Sequence, residues 1–177
     1  MSIQYSDNDL FACGAQALVN PVNCVGTMGK GLALAFKQNF PRNYQAYVQA
    51  CRAGQIQPGR IMVFDRGTPS SPRYIINLPT KRHWRESSRL EDVEEGLRDM
   101  LRVLDRYAIE SVGIPALGCG WGGLDWQIVR ERMQDILAHQ PSVSFTLFPP
   151  KSATNIPRAA PRVAVPAPAP RFSPGRP

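Results

Sequence analysis

The sequence predicts an α/β domain with helices on both faces of a mostly parallel or mixed sheet. Three observations carry this. Short apolar runs alternate with stretches of helical period, and two glycine-rich segments fall where a strand hands over to a helix. At 177 residues and 43% apolar content, the chain can bury one core but hardly two.

Along the chain, residues 17–20 read as a short buried strand, 29–40 as a helix stopped at Pro41, and 42–53 as a second helix ended by Gly54. Strands are expected over 60–65 and 73–78, split by the turn-rich Gly67-Thr68-Pro69-Ser70-Ser71-Pro72. Ser88 followed by Glu91 has the form of a capping box. It would open a helix running to about Tyr107, in which Leu90, Val93, Leu97, Leu101 and Leu104 mark one buried face. A strand over 111–114 follows, then a helix over 125–139 with Trp126, Val129, Met133 and Ile136 inward, and a last strand over 143–148. No internal repeat is present.

From Pro149 the composition shifts to Pro, Ala and Arg, as in Ala164-Val165-Pro166-Ala167-Pro168-Ala169-Pro170, which favours extended backbone and cannot bury a core. The expected division is a folded domain over 1–149 and a linker or disordered tail over 150–177. No run approaches the roughly 18 to 20 apolar residues of a membrane span, and the first residues lack the basic and apolar regions of a signal peptide. A cytoplasmic location without membrane attachment is the expectation. Cys13, Cys24, Cys51 and Cys119 form no CxxC pair and no zinc spacing, so free thiols and no metal or other cofactor are expected.

The net charge of +7 is unevenly distributed, because Lys151, Arg158, Arg162, Arg171 and Arg176 sit in a tail without acids. Global charge is therefore weak support for a nucleic-acid partner. The local cluster Lys81, Arg82, His83, Trp84, Arg85 and Arg89 is more telling, since it mixes cations with an aromatic as single-strand binding surfaces do. A solvated loop before a helix would show the same residues.

The two glycine segments are Gly26-Thr27-Met28-Gly29-Lys30-Gly31 and Gly118-Cys119-Gly120-Trp121-Gly122-Gly123. At such junctions main-chain N–H groups can turn toward one point and the helix dipole favours an anion, so two of them suit a diphosphate clamped from both sides. A P-loop is excluded: Lys30 is followed by Gly31 in place of Ser or Thr, and position 24 is Cys24 where the pattern needs glycine. Gly118, Gly120 and Gly123 satisfy GxGxxG, but no acid occurs from 140 to 150 to hold a ribose, which argues against a dinucleotide dehydrogenase.

Asp9-Leu10, the run from Ala17 through Asn20-Pro21-Val22-Asn23-Cys24-Val25-Gly26, then Met28-Gly29-Lys30-Gly31 and Pro115-Ala116-Leu117-Gly118-Cys119-Gly120 together resemble a macrodomain over about residues 1–149. The resemblance implies a three-layer α/β/α macrodomain with a mixed central sheet and ADP-ribose as ligand. Leu78-Pro79-Thr80-Lys81-Arg82-His83-Trp84-Arg85 and Gly122-Gly123-Leu124-Asp125-Trp126 are most similar to macrodomains that remove ADP-ribose from thymidine in single-stranded DNA, the antitoxin half of a toxin–antitoxin pair. That group implies a further C-terminal domain through which the cognate DNA ADP-ribosyltransferase toxin would dock.

Carried over by residue, the resemblance assigns Asp9 to the adenine amino group, Asn23 to the distal ribose, and Leu10 and Asn20 to ADP-ribose more generally. It assigns Gly26, Thr27, Met28, Gly29, Lys30, Gly31, Pro115, Leu117, Gly118, Cys119, Gly120, Trp121 and Gly122 to the diphosphate and ribose. Arg82, His83, Trp84 and Arg85 would hold DNA, and Lys81 with Asn23 would form the catalytic pair. Asp9 capping a turn, or Asn20 and Asn23 satisfying a strand end, remain alternatives.

A lysine of lowered pKa can act as a base or as an imine-forming nucleophile toward an anomeric carbon, and burial beside Arg82 and Arg85 would lower that of Lys81 by desolvation and like charge. Pairing with a DNA phosphate is its other reading. Asp125 reads as a helix N-cap, with Leu124 and Val129 spaced as a staple. His139 reads as a helix-end residue and His83 as a stacking group. The expected activity is hydrolysis of the bond between ADP-ribose and thymine. The rivals are a glycohydrolase of ADP-ribosylated protein or O-acyl-ADP-ribose, and a reader that binds ADP-ribose without chemistry.

Overall fold

The computed structural model describes residues 2–151, so the sequence-predicted tail from 152 onward lies outside the described residues. Six strands, β1 (Ser2–Tyr5), β2 (Ala17–Asn23), β3 (Met62–Asp65), β4 (Tyr74–Lys81), β5 (Ser111–Pro115) and β6 (Ser144–Phe148), form one sheet. Its order is β1-β6-β5-β2-β4-β3, with β3 antiparallel to β4 and the remaining pairs parallel. Four helices, α1 (Gly31–Asn39), α2 (Pro41–Arg52), α3 (Leu90–Arg106) and α4 (Trp126–Leu137), complete the mixed α/β/α architecture.

The main core lies between the sheet and α3 and α4, where Val93, Leu97, Met100 and Leu104 of α3 meet Ile76, Leu78, Val112 and Ile114. Burying one such side chain stabilises the fold by about 1.5–3 kcal/mol, so truncating Leu97 would cost about 2–5 kcal/mol. Gly96 follows from this packing, because a Cβ there would lie 3.0 Å from the Leu78 side chain. Two smaller clusters lie under α1 and α2, one around Phe36 and the other around Tyr47.

Three differences from the sequence reading bear on the site. β4 continues through Pro79 to Lys81, because Pro79 pairs with Val22 and Lys81 with Asn23 across a register shift between Val22 and Asn23. Lys81 therefore sits on the end of a strand, where a loop was expected. α1 begins at Gly31, two residues late, since Lys30 is still extended as its N-cap. The Ser88/Glu91 capping box does not form: α3 is entered from Arg89 without a side-chain cap, and the Ser88 hydroxyl has no partner. Strand β1 and a short 3-10 turn over Leu10–Ala12 were not anticipated, as their few residues carry no period of their own.

Candidate active site

The loop from β2 to α1 is wound around one amide. Asn23 Oδ1 accepts from Val25 N at 3.0 Å and Thr27 N at 3.3 Å, while Nδ2 donates to the Thr27 carbonyl at 2.7 Å. The Tyr47 hydroxyl lies 2.6 Å from the Asn23 carbonyl and 2.9 Å from Oδ1, and burial holds its phenol protonated as a donor. The outcome is a fixed loop leading into α1. The first amides of that helix, Gly31 to Ala33, carry no hydrogen bond among the described residues, leaving the positive end of the helix dipole open to an anion.

The second loop, between β5 and α4, is shaped by Gly118 at φ 70, where a Cβ would come within 2.8 Å of Leu124 and 3.0 Å of Ser88. Its amides at Gly120, Trp121 and Gly122 carry no hydrogen bond among the described residues. They form the second set of open donors. The N-terminus of α4 adds nothing here, contrary to expectation, because Asp125 Oδ1 accepts from Gln127 N at 2.7 Å and Ile128 N at 3.4 Å. Asp125 is thus a cap, as its sequence position indicated.

Lys81 joins the two halves. Its Nζ donates to the Trp121 carbonyl at 2.7 Å, and burial holds its pKa below the ordinary lysine value. The like-charge contribution expected from Arg82 and Arg85 is not the cause. Arg82 is neutralised by a two-pronged pair with the buried Asp92, both contacts at 3.1 Å, and Arg85 lies 4.5 Å over the Trp84 ring. The Trp121 ring faces Lys30 Nζ at 4.9 Å and passes close to Gly31, where a Cβ would be 3.5 Å from the indole. Open amides, a partly buried lysine and an indole therefore meet in one place. Such a set can grip a diphosphate and place an amine beside the sugar attached to it.

The other sequence-predicted residues fall into groups. Asp9 is exposed and caps the 3-10 turn through Phe11 N at 3.0 Å, while Leu10 is buried behind it. Met28, Pro115 and Leu117 have buried side chains, so only their main chain is available to a ligand. Asn20 is 0% exposed, its Nδ2 donates to Asn77 at 3.0 Å in a buried cluster that includes Asn43, and its Oδ1 has no partner among the described residues. The Cys119 thiol is pushed up to about 12 by burial, which favours its protonated form. Gly26, Thr27 and Gly29 shape the first loop, and Gly29 would tolerate a Cβ, with only Thr27 within 3.7 Å. His83 stacks on Trp84 with ring centroids 5.4 Å apart and accepts from Arg85 N at 3.2 Å.

Three contributors were not read from sequence as part of the site: Tyr47, which braces Asn23; Asn77, which holds Asn20 and Asn43; and Ser88, read only as a helix cap, which lies against the second loop. Ser88 N donates to the Gly122 carbonyl at 2.9 Å, and a Cβ on Gly122 would collide with its hydroxyl. Polar residues in otherwise apolar strand and helix faces were the available signal for Asn77 and Tyr47. All four cysteines are free, and no cluster of three metal-ligating side chains occurs among the described residues.

A six-stranded mixed sheet between helices, with two glycine loops meeting at the ends of β2 and β5, defines a macrodomain, and the chain belongs to the Macro domain family, whose model matches residues 19–133. The DNA ADP-ribosyl glycohydrolase of Thermus aquaticus is 49% identical over 148 residues, covering 84% of this chain and 41% of that protein. The macrodomain of Mycobacterium tuberculosis DarG superposes with a TM-score of 0.82 at 44% identity, over 84% of this chain and 98% of that one. Thermosipho africanus DarTG in complex with ADP-ribose superposes with a TM-score of 0.79 at 32% identity, over 88% of this chain and 43% of that one. The chain spans about two fifths of the length of the curated relatives it matches.

Proposed function

We propose that this chain is an ADP-ribosyl glycohydrolase that removes ADP-ribose from thymidine in single-stranded DNA, as the antitoxin activity against a DNA ADP-ribosyltransferase toxin. The observation that carries the reading is Lys81, a partly desolvated amine at a strand end, tied to the second glycine loop and continuous with the His83-Trp84-Arg85 stack. A relative 49% identical over 148 residues bears the name DNA ADP-ribosyl glycohydrolase, and a solved neighbour contains ADP-ribose.

In this reading the amides at the α1 start and at Gly120 to Gly122 hold the diphosphate, and Asp9, with one carboxylate oxygen unused by the turn, receives the adenine amino group. Asn23 keeps the first loop in shape and sits in register with Lys81. Water adds its oxygen to the anomeric carbon, the bond from that carbon to the thymine ring nitrogen breaks, and the base takes up a proton. Neutral Lys81 assists as base or as transient nucleophile, and its lowered pKa makes the neutral form more accessible. The cognate toxin is assigned to a domain beyond the folded domain of residues 1–149.

Incubating the chain in parallel with an ADP-ribosylated thymidine oligonucleotide and with ADP-ribosylated protein tests this directly. Free ADP-ribose is expected from the oligonucleotide at a rate well above that from protein. Release from protein alone would give the site to a protein-directed hydrolase, and binding without release from either would make it a reader.

A further inference from the structure

Three buried side-chain atoms lack a hydrogen-bond partner among the described residues: Asn20 Oδ1, Ser88 Oγ and Arg130 Nε. Ser88 Oγ lies against the second glycine loop. The residue is 7% exposed, and the loop is shaped around it at two points. A Cβ on Gly118 would come within 3.0 Å of Ser88 Cβ and 3.2 Å of its hydroxyl, and a Cβ on Gly122 would collide with that hydroxyl and with the Gly118 carbonyl together. The two oxygens thus face one point beside the Gly122 Cα, and no hydrogen bond joins them.

The same stretch of loop is held at its carbonyls and free at its amides. Trp121 O accepts from Lys81 Nζ at 2.7 Å and Gly122 O from Ser88 N at 2.9 Å, while the N–H groups of Gly120, Trp121 and Gly122 carry no hydrogen bond among the described residues. The Gly118 carbonyl accepts from Leu124 N at 3.0 Å, which leaves one of its two lone pairs. A buried hydroxyl without a partner destabilises the state that contains it, and alanine would fill the same space without that cost. A hydroxyl at this place calls for a state in which it is paired.

Resting on the proposed function, in which this loop clamps the diphosphate, we propose that Ser88 is a positioning residue whose hydroxyl latches the loop when the diphosphate is bound. Drawing the open amides toward the anion turns the Gly122 unit away from the two oxygens, and Ser88 Oγ–H then donates to the Gly118 carbonyl. A bond made in the bound state alone is a differential interaction, so it favours that state. The closed loop keeps the Trp121 carbonyl on Lys81 while the diphosphate is in place. Ser88 touches neither the ligand nor the reacting atoms and acts through Gly118 and Gly122.

The test compares Ser88→Ala with the parent in three measurements on the full chain. Without ligand, the melting temperature of the variant should equal or exceed that of the parent, because an unpaired buried hydroxyl is removed. Calorimetry should show ADP-ribose binding weaker by roughly 5- to 150-fold, the worth of pairing one buried polar group. ADP-ribose should slow amide exchange at Gly122 to Leu124 in the parent and far less in the variant. A serine that only fills space would not move stability and affinity in opposite directions. A melting temperature and an affinity that fall together would overturn the latch, as would an affinity kept within about fivefold, or exchange slowed equally in both proteins. None of these results touches the hydrolase reading, which the parent's release of ADP-ribose from the oligonucleotide decides. A parent that shows the latch but releases nothing would support the latch and overturn that reading, and a parent that binds no ADP-ribose would overturn both.

Discussion

Lys81 Nζ and the Trp121 carbonyl oxygen stand 2.7 Å apart, linking the end of β4 to the glycine loop that follows β5. The amine that the proposed chemistry requires is thus positioned by the loop whose amides at Gly120 to Gly122 are open, the ones the proposal gives to the diphosphate.

Removing the amine should separate the two. Lys81→Ala is expected to lose hydrolysis while keeping ADP-ribose affinity within about tenfold, or about 1.4 kcal/mol, by calorimetry. Complete loss of binding would make Lys81 a ligand anchor.

The pH dependence has a definite sign. Burial lowers the Lys81 pKa, so a larger fraction is neutral at any given pH than for a free lysine. The rate should rise with pH and level off below the ordinary lysine value of about 10.4. Folded protein also binds fewer protons than unfolded protein in the window just below that value, so stability should rise with pH there, and Lys81→Gln should remove that slope. A pH-independent rate from neutral to alkaline pH would show that no lysine deprotonation is needed.

The glycines of the second loop should divide into two kinds. A Cβ at Gly120 meets nothing within 4 Å, so Gly120→Val should fold normally, with stability within about 0.5 kcal/mol of the parent, and lose ADP-ribose by filling ligand space. Gly122→Ala collides with Ser88 and the Gly118 carbonyl and should lower the melting temperature as well. Normal ADP-ribose binding by Gly120→Val would contradict the assignment of this loop.

Arg82 should matter more for stability than for DNA. Its guanidinium is half exposed, but Asp92 is only 5% exposed and its carboxylate is held by both contacts. Arg82→Ala would leave the buried Asp92 carboxylate without its partner and should lower stability. Thermal melting should show the loss, while the salt dependence of oligonucleotide binding should change less than for Arg85→Ala.

Much of this was legible in the sequence, and the exceptions have physical causes. Alternation of apolar runs with helical periods located β2 to β6 and all four helices, because each buries its own face in the main core or a flanking one. β1 escaped because Ser2–Tyr5 is a strand only through its pairing with β6. The end of β4 escaped because Pro79 reads as a stop, whereas here it pairs with Val22 beside a register shift. At the site, glycine spacing located both loops and Lys81 stood out by its basic neighbours. What local pattern could not show was partnership over distance: Arg82 with Asp92, Asn20 with Asn77, and Ser88 with Gly122.

The buried amide network offers a control far from the chemistry. Asn77 Oδ1 accepts from Asn20 at 3.0 Å and Asn43 at 3.2 Å, and Asn77 Nδ2 donates to Asn43 at 2.7 Å. Asn77→Leu should strand both neighbours, costing about 1–3 kcal/mol for each unpaired group, and lower the melting temperature. Unchanged stability would mean that the two amides find other partners.

The central claim is that the bond from the sugar to the base is the one broken, and the intact mass of the oligonucleotide after incubation with the chain reports it most directly. An ADP-ribosylated thymidine strand should return to its unmodified mass with stoichiometric free ADP-ribose, and Lys81→Ala should leave the adduct in place. A strand that kept a phosphoribosyl remnant, or that stayed fully modified while the chain bound ADP-ribose normally, would contradict it.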